Sequence, residues 1–97
     1  MKTPEGYVKD DVRKYLKGIR AYFFSSTTFG YGGSGTPDIC ACYAGRFIGI
    51  EVKREGKTPT AIQHRRLQDI HKAGGIALWG DDADKIIEQL KQALGLS

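Results

Sequence analysis

Two short segments hold the residues with chemical potential. Gly35-Thr36-Pro37-Asp38 ends in an acid at the mouth of an apolar run, and Gly49-Ile50-Glu51-Val52-Lys53 sets an acid and a lysine two residues apart at the end of another. Side chains alternate along a strand, so Glu51 and Lys53 share a face. Val52 then turns to the other face, leaving its main-chain carbonyl available as a ligand. Two carboxylates and a carbonyl are hard oxygen donors of the kind that suit Mg2+ or Mn2+. With an ammonium beside them they could bind a divalent cation and handle a water molecule, which is the equipment of phosphodiester hydrolysis. Taken singly, each segment is ordinary: strand ends are solvated, and Pro-Asp is common turn chemistry.

The elements between and around these segments decide whether the acids meet. Val8, Val12, Tyr15, Leu16 and Ile19 recur at helical spacing behind Thr3-Pro4-Glu5, which predicts a helix over about residues 4–17 closed by Gly18. Aromatic and β-branched residues over 21–29 predict a first strand, followed by a loop with four glycines between Gly30 and Gly35. Residues 38–43 and 46–53 read as a hairpin about the tight turn Ala44-Gly45, and counting outward from that turn puts Asp38 level with Glu51. A second helix is expected to start at Thr58-Pro59 and run to about Ala73 before Gly74-Gly75. A short buried strand over 76–79 and a helix capped by Asp81 or Asp82, with Ile86, Ile87, Leu90 and Leu94 as its apolar stripe, complete the chain. The order αβββαβα makes this an α/β fold with a mixed four-stranded sheet, and the crossover through helix two implies a right-handed parallel pair.

Ninety-seven residues suffice for one small domain spanning 1–97 with one modest core, and apolar and charged contents of 40% and 27% describe a folded chain. A net charge of +4 is compatible with a polyanionic partner. No apolar run approaches membrane-spanning length and the N-terminus does not read as a signal peptide, so a cytoplasmic location is expected. Cys40 and Cys42 share a strand face in poor geometry for a mutual disulfide and read as small core fillers. Gly56-Lys57-Thr58 invites a nucleotide-binding reading, but the phosphate loop needs a glycine where Glu51 stands, so no nucleotide cofactor is expected.

Helix two carries His64, Arg65 and Arg66 behind Lys57. These cations either hold a phosphate backbone beside the acids or form a solvated helix face. Ser34 and the glycine loop could bring backbone N–H groups to a phosphate, and Tyr31 could stack on a base or pack the loop. Glu5 is either a further ligand reaching from helix one or an ordinary favourable charge in a first helical turn.

The joint pattern resembles the PD-(D/E)XK nuclease superfamily, and more closely its VRR-NUC (virus-type replication-repair nuclease) branch. The matching stretches are Glu5, Ser34-Gly35-Thr36-Pro37-Asp38-Ile39, Ile48-Gly49-Ile50-Glu51-Val52-Lys53, and Thr58-Pro59-Thr60-Ala61-Ile62-Gln63 with Leu67 and Gly74-Gly75, about residues 5–80 in all. The charged segment Arg54-Glu55-Gly56-Lys57 is a mild departure. The resemblance implies a restriction-endonuclease-like αβββαβ core with a C-terminal helix added. Asp38, Glu51 and the Val52 carbonyl would hold Mg2+ or Mn2+, Lys53 would orient the nucleophile or stabilise negative charge, and Gln63 would lie beside that lysine. It further implies a stand-alone, phage-type DNA endonuclease of replication, recombination or repair. Such an enzyme would act in the host cytoplasm as a homodimer on branched DNA, in the manner of a Holliday-junction resolvase. Exposed apolar surface on helix one or strand four would be the sign of such pairing. The rival expectation is a catalytically silent or partner-dependent nucleic-acid-binding module on the same fold.

Overall fold

The computed structural model describes residues 2–26 and 35–97. Helix α1 (Pro4–Gly18) starts at Thr3, whose hydroxyl accepts from the Gly6 N–H, with Pro4 fixing the first turn. Strands β1 (Tyr22–Ser25), β2 (Ile39–Tyr43) and β3 (Arg46–Val52) form an antiparallel meander. Strand β4 (Ile76–Gly80) joins β3 in parallel after helix α2 (Ala61–Lys72), and helix α3 (Ala83–Leu94) closes the chain. The sheet order is β1-β2-β3-β4. The β2–β3 turn puts Ala44 and Gly45 at φ of 51° and 80°, the left-handed pair that matches the twist of a two-residue hairpin.

One face of the sheet carries the core. Ile39, Ala41, Ile48, Ile50, Val52, Ile76 and Leu78 meet Val12 and Leu16 of α1 and Ile86 and Leu90 of α3. The predicted stripes of helices one and three therefore point where their periodicity says. Helix α2 packs on the opposite face, over β3 and β4, which leaves residues 48–52 of β3 buried from both sides. Gly49 makes that approach possible: a Cβ there would meet Ile70 Cδ1 at 2.6 Å and Pro37 Cγ at 3.1 Å. No helix among the described residues is long and apolar enough to cross a membrane.

Two details differ from the sequence reading, one alternative it left open is decided, and part of one element is not described. The first strand is described only as Tyr22–Ser25, and the predicted extension beyond Ser26 and the glycine loop to Ser34, with Tyr31, lie outside the described residues. Helix α2 begins at Ala61, two residues after Pro59, because Thr60 and Gln63 form a capping box that outcompetes the proline as a start signal. Asp82 caps α3, while Asp81 instead accepts from the Gly56 N–H at 2.9 Å and ties the β3–α2 connection to the end of β4. Cys40 is buried but Cys42 is exposed. Both face the α2 side, and α2 covers β3 and β4 without reaching Cys42 near the hairpin turn.

Gly49→Ala is expected to lower stability by about 1–3 kcal/mol through overpacking against Ile70 and Pro37. The urea midpoint measures it, and an unchanged midpoint would mean α2 can lift off β3 without cost.

Candidate active site

The hairpin register brings the two acids together. Ile39 pairs with Ile50, so the next residues outward are Asp38 and Glu51, on the α2 side of the sheet. Asp38 is held at three points. Its main-chain carbonyl accepts from the Ser26 N–H at 2.9 Å, its Oδ2 accepts from the Val52 N–H at 2.8 Å, and its Oδ1 lies 3.6 Å from Lys9 Nζ. The Ser26 hydroxyl also donates to the Pro37 carbonyl, so the end of β1 clamps the Pro37-Asp38 peptide.

Glu51 is 3% exposed, the one buried charged residue among those described. Burial, then a hydrogen bond with Asp38, then the Asp38 charge push its pKa from 4.5 up to about 8, and Lys53 and Lys9 draw it back only in part. Glu51 therefore keeps a proton near neutral pH, in hydrogen-bonding reach of Asp38. Glu51 Oε1 is buried with no hydrogen-bond partner, a costly state for a polar oxygen.

Lys53 follows Glu51 on the same face, and its ammonium donates to Gln63 Oε1 at 3.2 Å. That same oxygen accepts from the Thr60 N–H at 2.9 Å, while the Gln63 N–H donates to the Thr60 hydroxyl at 3.3 Å. Gln63 thus sits in the first turn of α2, and the reciprocal cap that starts the helix also aims its amide oxygen at the lysine. Gly35, at φ 81°, packs where a Cβ would meet the Ile62 carbonyl oxygen at 2.9 Å, pressing the Gly35-Thr36-Pro37-Asp38 segment against the same helix start.

Two oxygen-bearing acids, one with an unpartnered buried oxygen, fit a hard divalent cation. No group of three or more His, Cys, Asp and Glu side chains among the described residues is placed to hold a metal. Asp38, Glu51 and the Val52 carbonyl are thus the protein's candidate donors, with water and phosphate oxygens to complete the shell, as Mg2+ commonly requires. Glu5 lies 4.0 Å from Arg54 Nε and forms no three-acid group with Asp38 and Glu51.

The predicted nucleic-acid contacts separate. Lys57 and Arg65 are exposed, and His64 stands edge-on to Trp79 with ring centroids 6.2 Å apart. Arg66 pairs with Asp69 of its own helix at 3.4 Å. Tyr31 and Ser34 lie outside the described residues. Lys9 is the residue the sequence reading overlooked. It stands one helical turn after Glu5, the i,i+4 spacing that puts both on one face of α1.

No protein-family model matches the chain, and no curated protein matches it. Among solved structures it is similar to one described as a VRR_NUC domain, at 21% identity over 92% of this chain and 96% of that one, with a TM-score of 0.78. The chain has the restriction-endonuclease-like VRR_NUC fold, as its motifs implied.

The raised Glu51 pKa has a signed consequence for stability. Below about pH 4.5 the group is protonated whether the chain is folded or not, and its contribution is fully present. Between about 4.5 and about 8 the folded chain keeps a proton the unfolded chain has lost, so stability falls as pH rises across that window. In metal-free buffer, Glu51→Gln is expected to remove of the order of 1 kcal/mol per pH unit of that decline. Parallel denaturant curves of wild type and variant from pH 5 to 8 measure it, and identical pH slopes would refute the raised Glu51 pKa.

Proposed function

We propose that this chain is a VRR-NUC-type, Mg2+- or Mn2+-dependent deoxyribonuclease that cuts phosphodiester bonds in branched DNA. The observation that carries the reading is the carboxylate pair of half-buried Asp38 and buried Glu51, the latter with an unpartnered oxygen, set beside a lysine that Gln63 orients. A divalent cation held there supplies a Lewis acid for the scissile phosphate and lowers the pKa of water. Glu51 would hold the cation only as the carboxylate, so loading the site would send its proton to solvent and be favoured as pH rises. Lys53, anchored by Gln63, positions the nucleophile or meets the negative charge that develops on the phosphate oxygens. Glu5 is assigned as a further acid of the site, and Arg54, 4.0 Å from it, as a phosphate contact. Lys57, His64, Arg65 and Arg66 supply phosphate contacts along the start of α2, and Tyr31 and Ser34 are assigned to the approaching DNA.

Pairing of two copies would give two such sites in one particle, the arrangement that a two-fold branched substrate needs. Support comes from an aromatic face outside the reach of α2. Tyr22, Phe24 and Phe47 are 73%, 51% and 45% exposed, and the first two rings lie 6.4 Å apart. This surface is on β1 and β3, whereas helix one exposes Tyr7.

With Mg2+ or Mn2+, the protein is expected to nick four-way or flapped DNA faster than plain duplex, and chelation should abolish cutting. Asp38→Asn and Lys53→Met should each reduce the rate roughly 100-fold or more while DNA binding persists. Pure protein that binds DNA yet cuts no topology with either cation would leave a binding module instead. Light scattering should give twice the chain mass, and Phe24→Asp should return it to the chain mass; a monomeric wild type would remove the two-fold reading.

A further inference from the structure

Trp79 is the chain's one tryptophan, and it is half-buried and not part of the core cluster that Ile76 and Leu78 of its own strand join. It lies on β4, an edge strand, in register with Glu51 and on the same face as that carboxylate. Adjacent strands are about 4.8 Å apart, so the indole stands beside the acidic pair. It is only half-buried and forms a wall shared by two open cavities. The first, about 380 Å³, is bounded by His64, Gln68, His71 and Lys72 of α2 and by Ala77. The second, about 450 Å³, is bounded by Lys57, Thr58 and Lys85 among others. Both volumes lie in the range of small-ligand pockets. An aromatic wall with amide and imidazole hydrogen-bonding groups, rimmed by lysines, matches one chemistry: a flat heterocycle carried on a phosphate backbone.

We propose that the Trp79 cavity accepts an unstacked nucleobase of single-stranded or opened DNA, the nucleotide beside the phosphate held at Asp38 and Glu51. The base lies against the indole in the first cavity, beside the His64 ring that stands edge-on to Trp79, and Lys72 of that cavity and Lys57 of the second take the flanking phosphates. The site therefore selects DNA that already has an unpaired nucleotide next to the cut, because a fully stacked duplex cannot present a base edge-in to β4. This rests on the DNA reading above and adds to it a determinant of substrate shape.

Because Trp79 has no other tryptophan to mask it, the wild-type protein reports on its own pocket. Metal-free protein is titrated with a fluorescently labelled single-stranded oligothymidine and, separately, with an abasic strand of equal length and charge. Label anisotropy reads binding and tryptophan emission reads the pocket. The expected result is saturable quenching by the base-bearing strand, little quenching by the abasic one, and a loss of affinity for the base-bearing strand of roughly 5- to 100-fold in Trp79→Leu. If Trp79→Leu fails to fold, the wild-type comparison of the two strands decides alone. DNA that binds without quenching, or strands that quench alike, would overturn the nucleobase pocket and leave the DNA reading standing. Absence of binding to any DNA would remove both.

Discussion

The register of the β2–β3 hairpin is the constraint on which the site depends. Ile39 opposite Ile50 forces Asp38 opposite Glu51, and the two-residue turn at Ala44-Gly45 leaves little freedom to slip. A slip of one residue would turn Glu51 towards α1 and α3 and bring Val52 out under α2. The core prevents it: Ile48, Ile50 and Val52 on β3 and Ile39 and Ala41 on β2 are all buried on one face, so the hydrophobic pattern that folds the sheet also sets the chemistry at its end.

The electrostatics follow from where that end lies. Helix α2 shields one side of Glu51 and the core the other, so the carboxylate has lost water without gaining a full set of donors. Asp38 is better served, with the Val52 N–H and the Lys9 ammonium on its two oxygens. Two neighbouring acids thus acquire different properties from their surroundings, one exposed enough to stay paired with a lysine and one buried enough to keep a proton. Lys9 and Lys53 approach from different elements, which keeps positive charge on two sides of the pair.

Much of this was legible in the chain because it follows from strict periodicities. The apolar stripes of α1 and α3, the hairpin about Ala44-Gly45 and the parallel crossover were all readable, and with them the meeting of Asp38 and Glu51 and the common face of Glu51 and Lys53. What escaped depends on tertiary coverage and competing caps. Thr58-Pro59 and Thr60 through Gln63 are both good helix starts, and only the reciprocal hydrogen bonds decide between them. Cys42 looks like Cys40 in sequence, yet one is buried and the other, nearer the hairpin turn, is exposed. Lys9 is one cation among several on α1, and its reach to Asp38 depends on how that helix crosses the sheet.

Gln63 serves two masters with one oxygen. It accepts from the backbone at Thr60, which starts α2, and from Lys53, which stands beside the acidic pair. The start of a helix and the orientation of a lysine on a distant strand are therefore not independent traits of this sequence. Changes at Thr60 and Lys53, both hydrogen-bonded to Gln63 Oε1, would combine non-additively. For evolution or engineering this means epistasis. Positions 53, 60 and 63 can drift only as a set, and the helix cap is inherited together with the lysine that it aims.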